Sequence, residues 1–154
     1  MALAVPLSRF TSRVGGGSAF FVRLLAPPNM KPFPDQHELI ALFESEPVVK
    51  DVGVPWAYNH LTFTRTVGEN RIECEIEPGY QELRFLWFQR GVVVVDLDLS
   101  WVSGLIVERE HGRESLIARF RERSGLLPLR IQISPSVYIS WGTRTDIVGD
   151  HAAA

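Results

Sequence analysis

The sequence predicts an α+β fold: a curved antiparallel sheet of about six to eight strands, with one N-terminal helix over about residues 35–46 packed on it. Three observations carry this. Apolar and polar residues alternate with a period of two through residues 60–99. Turn-forming residues interrupt that alternation at short intervals. Ahead of it stands one stripe of apolar residues at helical spacing, opened by a capping signature.

The helix comes first. Pro34-Asp35 precedes Gln36-His37-Glu38, so Asp35 can cap the first turn while Glu38 reaches back to it. Leu39, Ile40, Leu42 and Phe43 form the stripe, and Pro47 ends it.

Four strands follow. In residues 60–66, Leu61 and Phe63 alternate with His60, Thr62, Thr64 and Thr66. In 71–77, Ile72, Cys74 and Ile76 alternate with Arg71, Glu73, Glu75 and Glu77. In 80–88, Leu83, Phe85 and Trp87 alternate with Glu82, Arg84, Leu86 and Phe88. In 92–99, Val93, Val95, Leu97 and Leu99 alternate with Val94, Asp96 and Asp98.

The turns set the expected register. Val67-Gly68-Glu69-Asn70 pairs Thr66 with Arg71, Pro78-Gly79 pairs Glu77 with Tyr80, and Gln89-Arg90-Gly91 pairs Phe88 with Val92. A two-residue loop at the last turn would set Asp96 opposite Phe85 on the core side, so three residues are preferred. The core face then holds Leu61, Phe63, Cys74, Ile76, Leu83, Phe85, Trp87, Val93, Val95 and Leu97.

Further along, 105–110 and 113–120 read as a hairpin turning at His111-Gly112, pairing Val107 with Leu116 and Arg109 with Glu114. A helix over 113–123, with Leu116, Ile117 and Phe120 on one side and Gly125 at its end, is the rival. Leu129, Ile131 and Ile133 alternate, as do Val137, Ile139 and Trp141, giving two more strands.

Composition bounds the function. The 154 residues are 45% hydrophobic and 22% charged, the make-up of a globular chain with a core of its own. The runs at 19–22 and 91–95 fall far short of the ~20 apolar residues that cross a bilayer, so no membrane role is expected. Cys74 is the single cysteine, which excludes an intrachain disulfide or a thiolate metal cluster; the cytoplasm is the default compartment.

Residues 1–30 contain Arg9, Arg13 and Arg23 and no acid, with Gly15-Gly16-Gly17-Ser18 and Pro27-Pro28. They read as a disordered or spurious leader, with Met30 as an alternative start, although a transit peptide shares this composition. The single domain is expected over 31–148 and a frayed tail over 149–154. Of the 16 basic and 18 acidic residues, the leader takes three basic ones, so residues 31–154 carry a net charge of −5. An acidic body argues against a phosphate-backbone partner; Arg113, Arg119, Arg121, Arg123 and Arg130 read as a solvated face.

The expected register lays Thr62, Glu75, Glu82 and Asp98 in one row across the outer face, and Thr64, Glu73, Arg84 and Asp96 in the next. Carboxylates about 4.8 Å apart repel by about 1 kcal/mol in water, a cost a sheet has no structural need to bear. A solvated face is the plain reading. The functional reading is a docking surface for a basic protein, formed by Glu73, Glu75, Glu82, Arg84, Asp96 and Asp98. The other end of that face, with Leu86, Phe88, Val92 and Val94, is apolar.

Catalytic signals are weak. His60, Glu77 and Tyr80 share one expected row, a conceivable acid–base set, but no nucleophile elbow or phosphate loop accompanies it. Cys74, between Ile72 and Ile76, reads as a buried hydrophobe. The four histidines lack ligand spacing, so no metal and no cofactor are expected. The expected function is therefore a non-enzymatic protein-binding module, of immunity or antitoxin type, that masks a basic partner. The alternative is a small-ligand-binding protein or small enzyme with a pocket between sheet and helix.

Overall fold

The computed structural model describes residues 29–145. The leader expected over 1–30 lies outside these residues except for Asn29 and Met30, and the tail expected over 149–154 lies outside them entirely. The fold is α+β. Among the described residues, one helix packs with nine antiparallel strands, which divide into a five-stranded sheet A and a four-stranded sheet B instead of forming one continuous curved sheet.

Helix α1 (Gln36–Phe43) begins at Asp35, whose backbone N–H donates to Glu38 Oε2 at 3.0 Å. It stops earlier than Pro47 demands, because Glu44 adopts a left-handed conformation with φ 53°. Leu39, Leu42 and Phe43 are buried. Phe43 stacks on Phe63 with ring centroids 4.7 Å apart, and Trp56 meets the same ring edge-on at 5.9 Å. Each of the buried side chains Leu39, Leu42, Phe43 and Phe63 stabilises the fold by about 1.5–3 kcal/mol. These rings fill the space between helix and sheet.

Sheet A runs in the order β1 (Val48–Val49), β2 (Leu61–Val67), β3 (Asn70–Glu77), β4 (Glu82–Gln89) and β5 (Val92–Leu99). The alternation sends Leu61, Phe63, Ile72, Cys74, Ile76, Leu83 and Phe85 inward, all buried; Trp87, Val95 and Leu97 pack against this core at its rim. Val93 departs from the expected core face: it lies opposite Phe88 and is exposed. Burial pushes the Cys74 thiol well above its usual pKa, so it stays protonated and unreactive.

Sheet B comprises β6 (Val102–Glu110), β7 (Arg113–Phe120), β8 (Leu129–Ser134) and β9 (Tyr138–Ser140). Residues 113–120 form a strand, with Val107 opposite Leu116 and Arg109 opposite Glu114. Leu116 and Ala118 are both fully buried, a spacing of two that a helix cannot place on one side. They join Leu105, Leu129, Ile131 and Ile133 in the core shared with sheet A.

Two devices tie the layers together. Residues 30–32 run beside β6, with Lys31 N–H donating to Ser103 O and Leu105 N–H to Pro32 O, both at 2.8 Å, and Met30 is buried. Arg65 leaves the inner face of β2 and donates to Leu42 O (2.5 Å) and Glu44 Oε2 (3.1 Å), while Glu114 of β7 lies 3.5 Å away.

Candidate partner-binding face

The outer face of sheet A carries the candidate site, and its registers come from three turns. Gly68-Glu69 closes β2 onto β3 so that Thr62 faces Glu75 and Thr64 faces Glu73, as the sequence predicts. The second turn differs. Pro78-Gly79-Tyr80 forms a short 3-10 turn and Gln81 takes a left-handed conformation (φ 58°), making a four-residue loop that pairs Glu77 with Glu82. The strand therefore slides by two residues from the expected register. A shift of two keeps every side chain on its face but changes its neighbours.

At the third turn, Arg90 (φ 52°) and Gly91 (φ 79°) make a two-residue loop, with Gln89 opposite Val92. The feared pairing of Asp96 with Phe85 does not arise, because a bulge at Val94 shifts the register and places Leu97 opposite Phe85.

The consequence for the acidic row is a correction. Glu75, Glu82 and Asp98 are not side by side. Arg84 stands between Glu75 and Asp98, while Glu82 faces Glu77 at the sheet's end. In the next row Leu86, and not Arg84, lies between Glu73 and Asp96. Tyr80 belongs to the turn and not to a row with His60 and Glu77.

All six predicted residues, Glu73, Glu75, Glu82, Arg84, Asp96 and Asp98, nevertheless share the outer face. Glu77, which the expected site left out, joins them. It was hidden by the loop length assigned to Pro78-Gly79, since only the four-residue loop brings Glu77 opposite another carboxylate. Two arginines offset six carboxylates there. Arg84 donates to both carboxylate oxygens of Asp96 at 3.2 and 3.3 Å, which raises its pKa further, and Glu75 and Asp98 add to this. Arg71 binds Glu73 and lays its guanidinium 4.0 Å from the Phe88 ring centroid.

The remaining acids gather around His60. Its Nδ1 lies 3.1 Å from Glu77 Oε1, and its Nε2 lies 3.7 Å from Glu75 Oε1. With Glu82, Leu83, Arg84 and Asp98 these groups line a shallow cleft of about 190 Å³. Glu82 has its pKa raised. Partial loss of hydration contributes most, then the charges of Glu77 and Asp98, while His60 pulls the other way.

The expected apolar end is only partly open. Leu86 and Phe88 are half-buried, whereas Val92, Val93 and Val94 are exposed along β5, the last strand of the sheet. Among the described residues, no group of three or more His, Cys, Asp or Glu is arranged to hold a metal ion, and no helix is long and apolar enough to cross a membrane.

The chain matches no protein-family model and no curated protein sequence. It is similar in structure to a chain of the contact-dependent growth inhibition toxin–immunity protein complex from Klebsiella pneumoniae 342. The TM-score is 0.62 and the identity 16%, with 74% of this chain and 97% of that chain covered. At this identity the likeness establishes a shared fold.

Proposed function

We propose that this protein is a non-enzymatic protein-binding module of immunity type, which lays the acidic outer face of sheet A over a basic surface of its partner and masks it. The observation that carries the reading is the excess of carboxylate on that face: Glu73, Glu75, Glu77, Glu82, Asp96 and Asp98 against Arg71 and Arg84. Repulsion within the face costs the free protein stability, and a cationic partner turns that cost into attraction. The charges of Glu77 and Asp98 add to the raised pKa of Glu82, behind the larger effect of its partial loss of hydration. The shared fold with a chain of a toxin–immunity protein complex supports a protein as the occupant. The partner is a protein and not a nucleic acid, because an acidic face repels phosphates.

Charge reversal tests this. Glu75→Lys, Glu82→Lys and Asp98→Lys together are expected to weaken a purified complex by at least about 100-fold, through faster dissociation and slower association at low salt. Unchanged affinity in a variant that melts cooperatively would sink the reading.

A further inference from the structure

At the end of sheet A where Glu77 and Glu82 lie, three large aromatic side chains stand in solvent: Tyr58 (62% exposed), Tyr80 (68%) and Trp101 (70%). We propose that these rings are the anchor of the partner interface, and that the occupant is an arginine-rich segment of a basic protein. Its guanidinium groups stack on the rings while reaching the carboxylates of Glu77, Glu82 and Asp98. This deepens the acidic-face reading and rests on it.

The three residues sit on adjoining segments. Tyr58 closes the 3-10 turn Trp56–Tyr58, and Tyr80 closes the turn Pro78–Tyr80. The turns pack so closely that a Cβ on Gly79 would lie 3.4 Å from Ala57 O. Trp101 joins them because Val102 N–H, the next along the chain, donates to Gln81 O at 2.9 Å. Singly exposed apolar residues are common on protein surfaces; three aromatics on touching segments beside a charged cleft are not scattered.

Trp101 is the most telling. Its φ of 63° is left-handed, a conformation that costs most residues other than glycine, asparagine and aspartate and is rare for a bulky one. The ring gains little packing in return, since most of it remains in water. Strain without burial in the free protein points to a use in the bound one. Tyr58, for its part, stands on a prearranged platform. The buried Asn59 accepts from the N–H groups of Asp51 (3.1 Å) and His60 (2.9 Å), and donates to Asp51 O (2.8 Å) and Val54 O (3.1 Å). A fixed loop loses less entropy on docking.

The choice of arginine follows from the chemistry. A planar guanidinium stacks on an aromatic face and forks onto a carboxylate at once, which an ammonium does less well. The same face already contains this arrangement: Arg71 lies 4.0 Å over the ring of Phe88 while bound to Glu73. Aromatic side chains at an interface are also the residues that most often dominate binding.

The test uses the full chain and a deca-arginine peptide, with deca-lysine as its comparison, at about 0.1 M salt, where charges on the surface are screened beyond roughly 10 Å. The indole N–H resonances of the four tryptophans are followed by NMR. Deca-arginine is expected to bind more tightly than deca-lysine and to move the Trp101 resonance most. Trp101→Gly, which suits the left-handed backbone and should melt no lower than the natural protein, is expected to weaken deca-arginine binding by between about 3- and 30-fold. Tyr80→Ala should do the same. If both variants bind deca-arginine as tightly as the natural protein while Glu75→Lys with Asp98→Lys abolishes binding, the aromatic anchor is overturned and the acidic docking face stands. If deca-arginine does not bind the natural protein at all, both fall.

Discussion

Glu82 faces Glu77 across the strand pair, with Asp98 close by and His60 beyond. A carboxyl whose folded-state pKa lies above its unfolded value holds its proton more tightly when folded, so its charged form costs stability. That cost is absent below the ordinary carboxylate range and present in full once the pH exceeds the raised folded value. Glu82→Gln is therefore expected to stabilise the protein at pH 7 by up to about 0.5 kcal/mol, the scale of an exposed substitution, and the gain should vanish by about pH 3.5. Thermal melts at the two pH values check this; an equal effect at both would place its origin outside the charge. The sequence made this residue legible as an outward-facing acid, because alternation with Leu83 and Phe85 decides the face. It did not reveal which acid it opposes, since that depends on loop length alone.

Elements show the same division between what alternation dictates and what turns decide. Period-two patterning locates β2 to β5 and the β6–β7 hairpin, and the capping pair Asp35 and Glu38 locates the start of α1. The misplaced registers arise where a non-glycine residue adopts a left-handed backbone, as Gln81 and Arg90 do. Any sequence-based reading assigns φ > 0 to glycine first, so Pro78-Gly79 reads as a shorter loop than it is. The bulge at Val94 lies within four consecutive valines and has no local signal. Strand β1, only two residues long, is too short to show a period.

The segment at 30–32 is likewise an element that periodicity does not announce, and Gly104 is what admits it. A Cβ there would stand 2.6 Å from Lys31 O, 2.9 Å from Lys31 C and 2.9 Å from Pro32 Cδ, closer than backbone atoms tolerate. Gly104→Ala should lift residues 30–32 off β6 and destabilise the protein by about 1–3 kcal/mol. Denaturant unfolding, with hydrogen exchange at Lys31 and Leu105, measures it; a variant as stable as the natural chain and equally protected at both amides would contradict this docking.

At the scale of the molecule, two sheets close on one core, and α1 and Arg65 join them. The class was legible because helix and strand periods differ; the division into sheets was not. It falls at Ser100-Trp101, between β5 and β6, where Trp101 turns the chain with a backbone that no propensity scale assigns to tryptophan. That division leaves the outer face of sheet A bearing the carboxylates, with Tyr58, Tyr80 and Trp101 exposed on the segments at one end of the sheet. Native mass spectrometry of the protein drawn from its own cell extract, at low and moderate salt, tests the acidic docking face most directly, with the Glu75→Lys, Glu82→Lys, Asp98→Lys variant alongside. A stoichiometric basic protein is expected on the natural chain, lost as salt rises and absent from the variant. The same partner retained by the variant, or an acidic partner indifferent to salt, would contradict it.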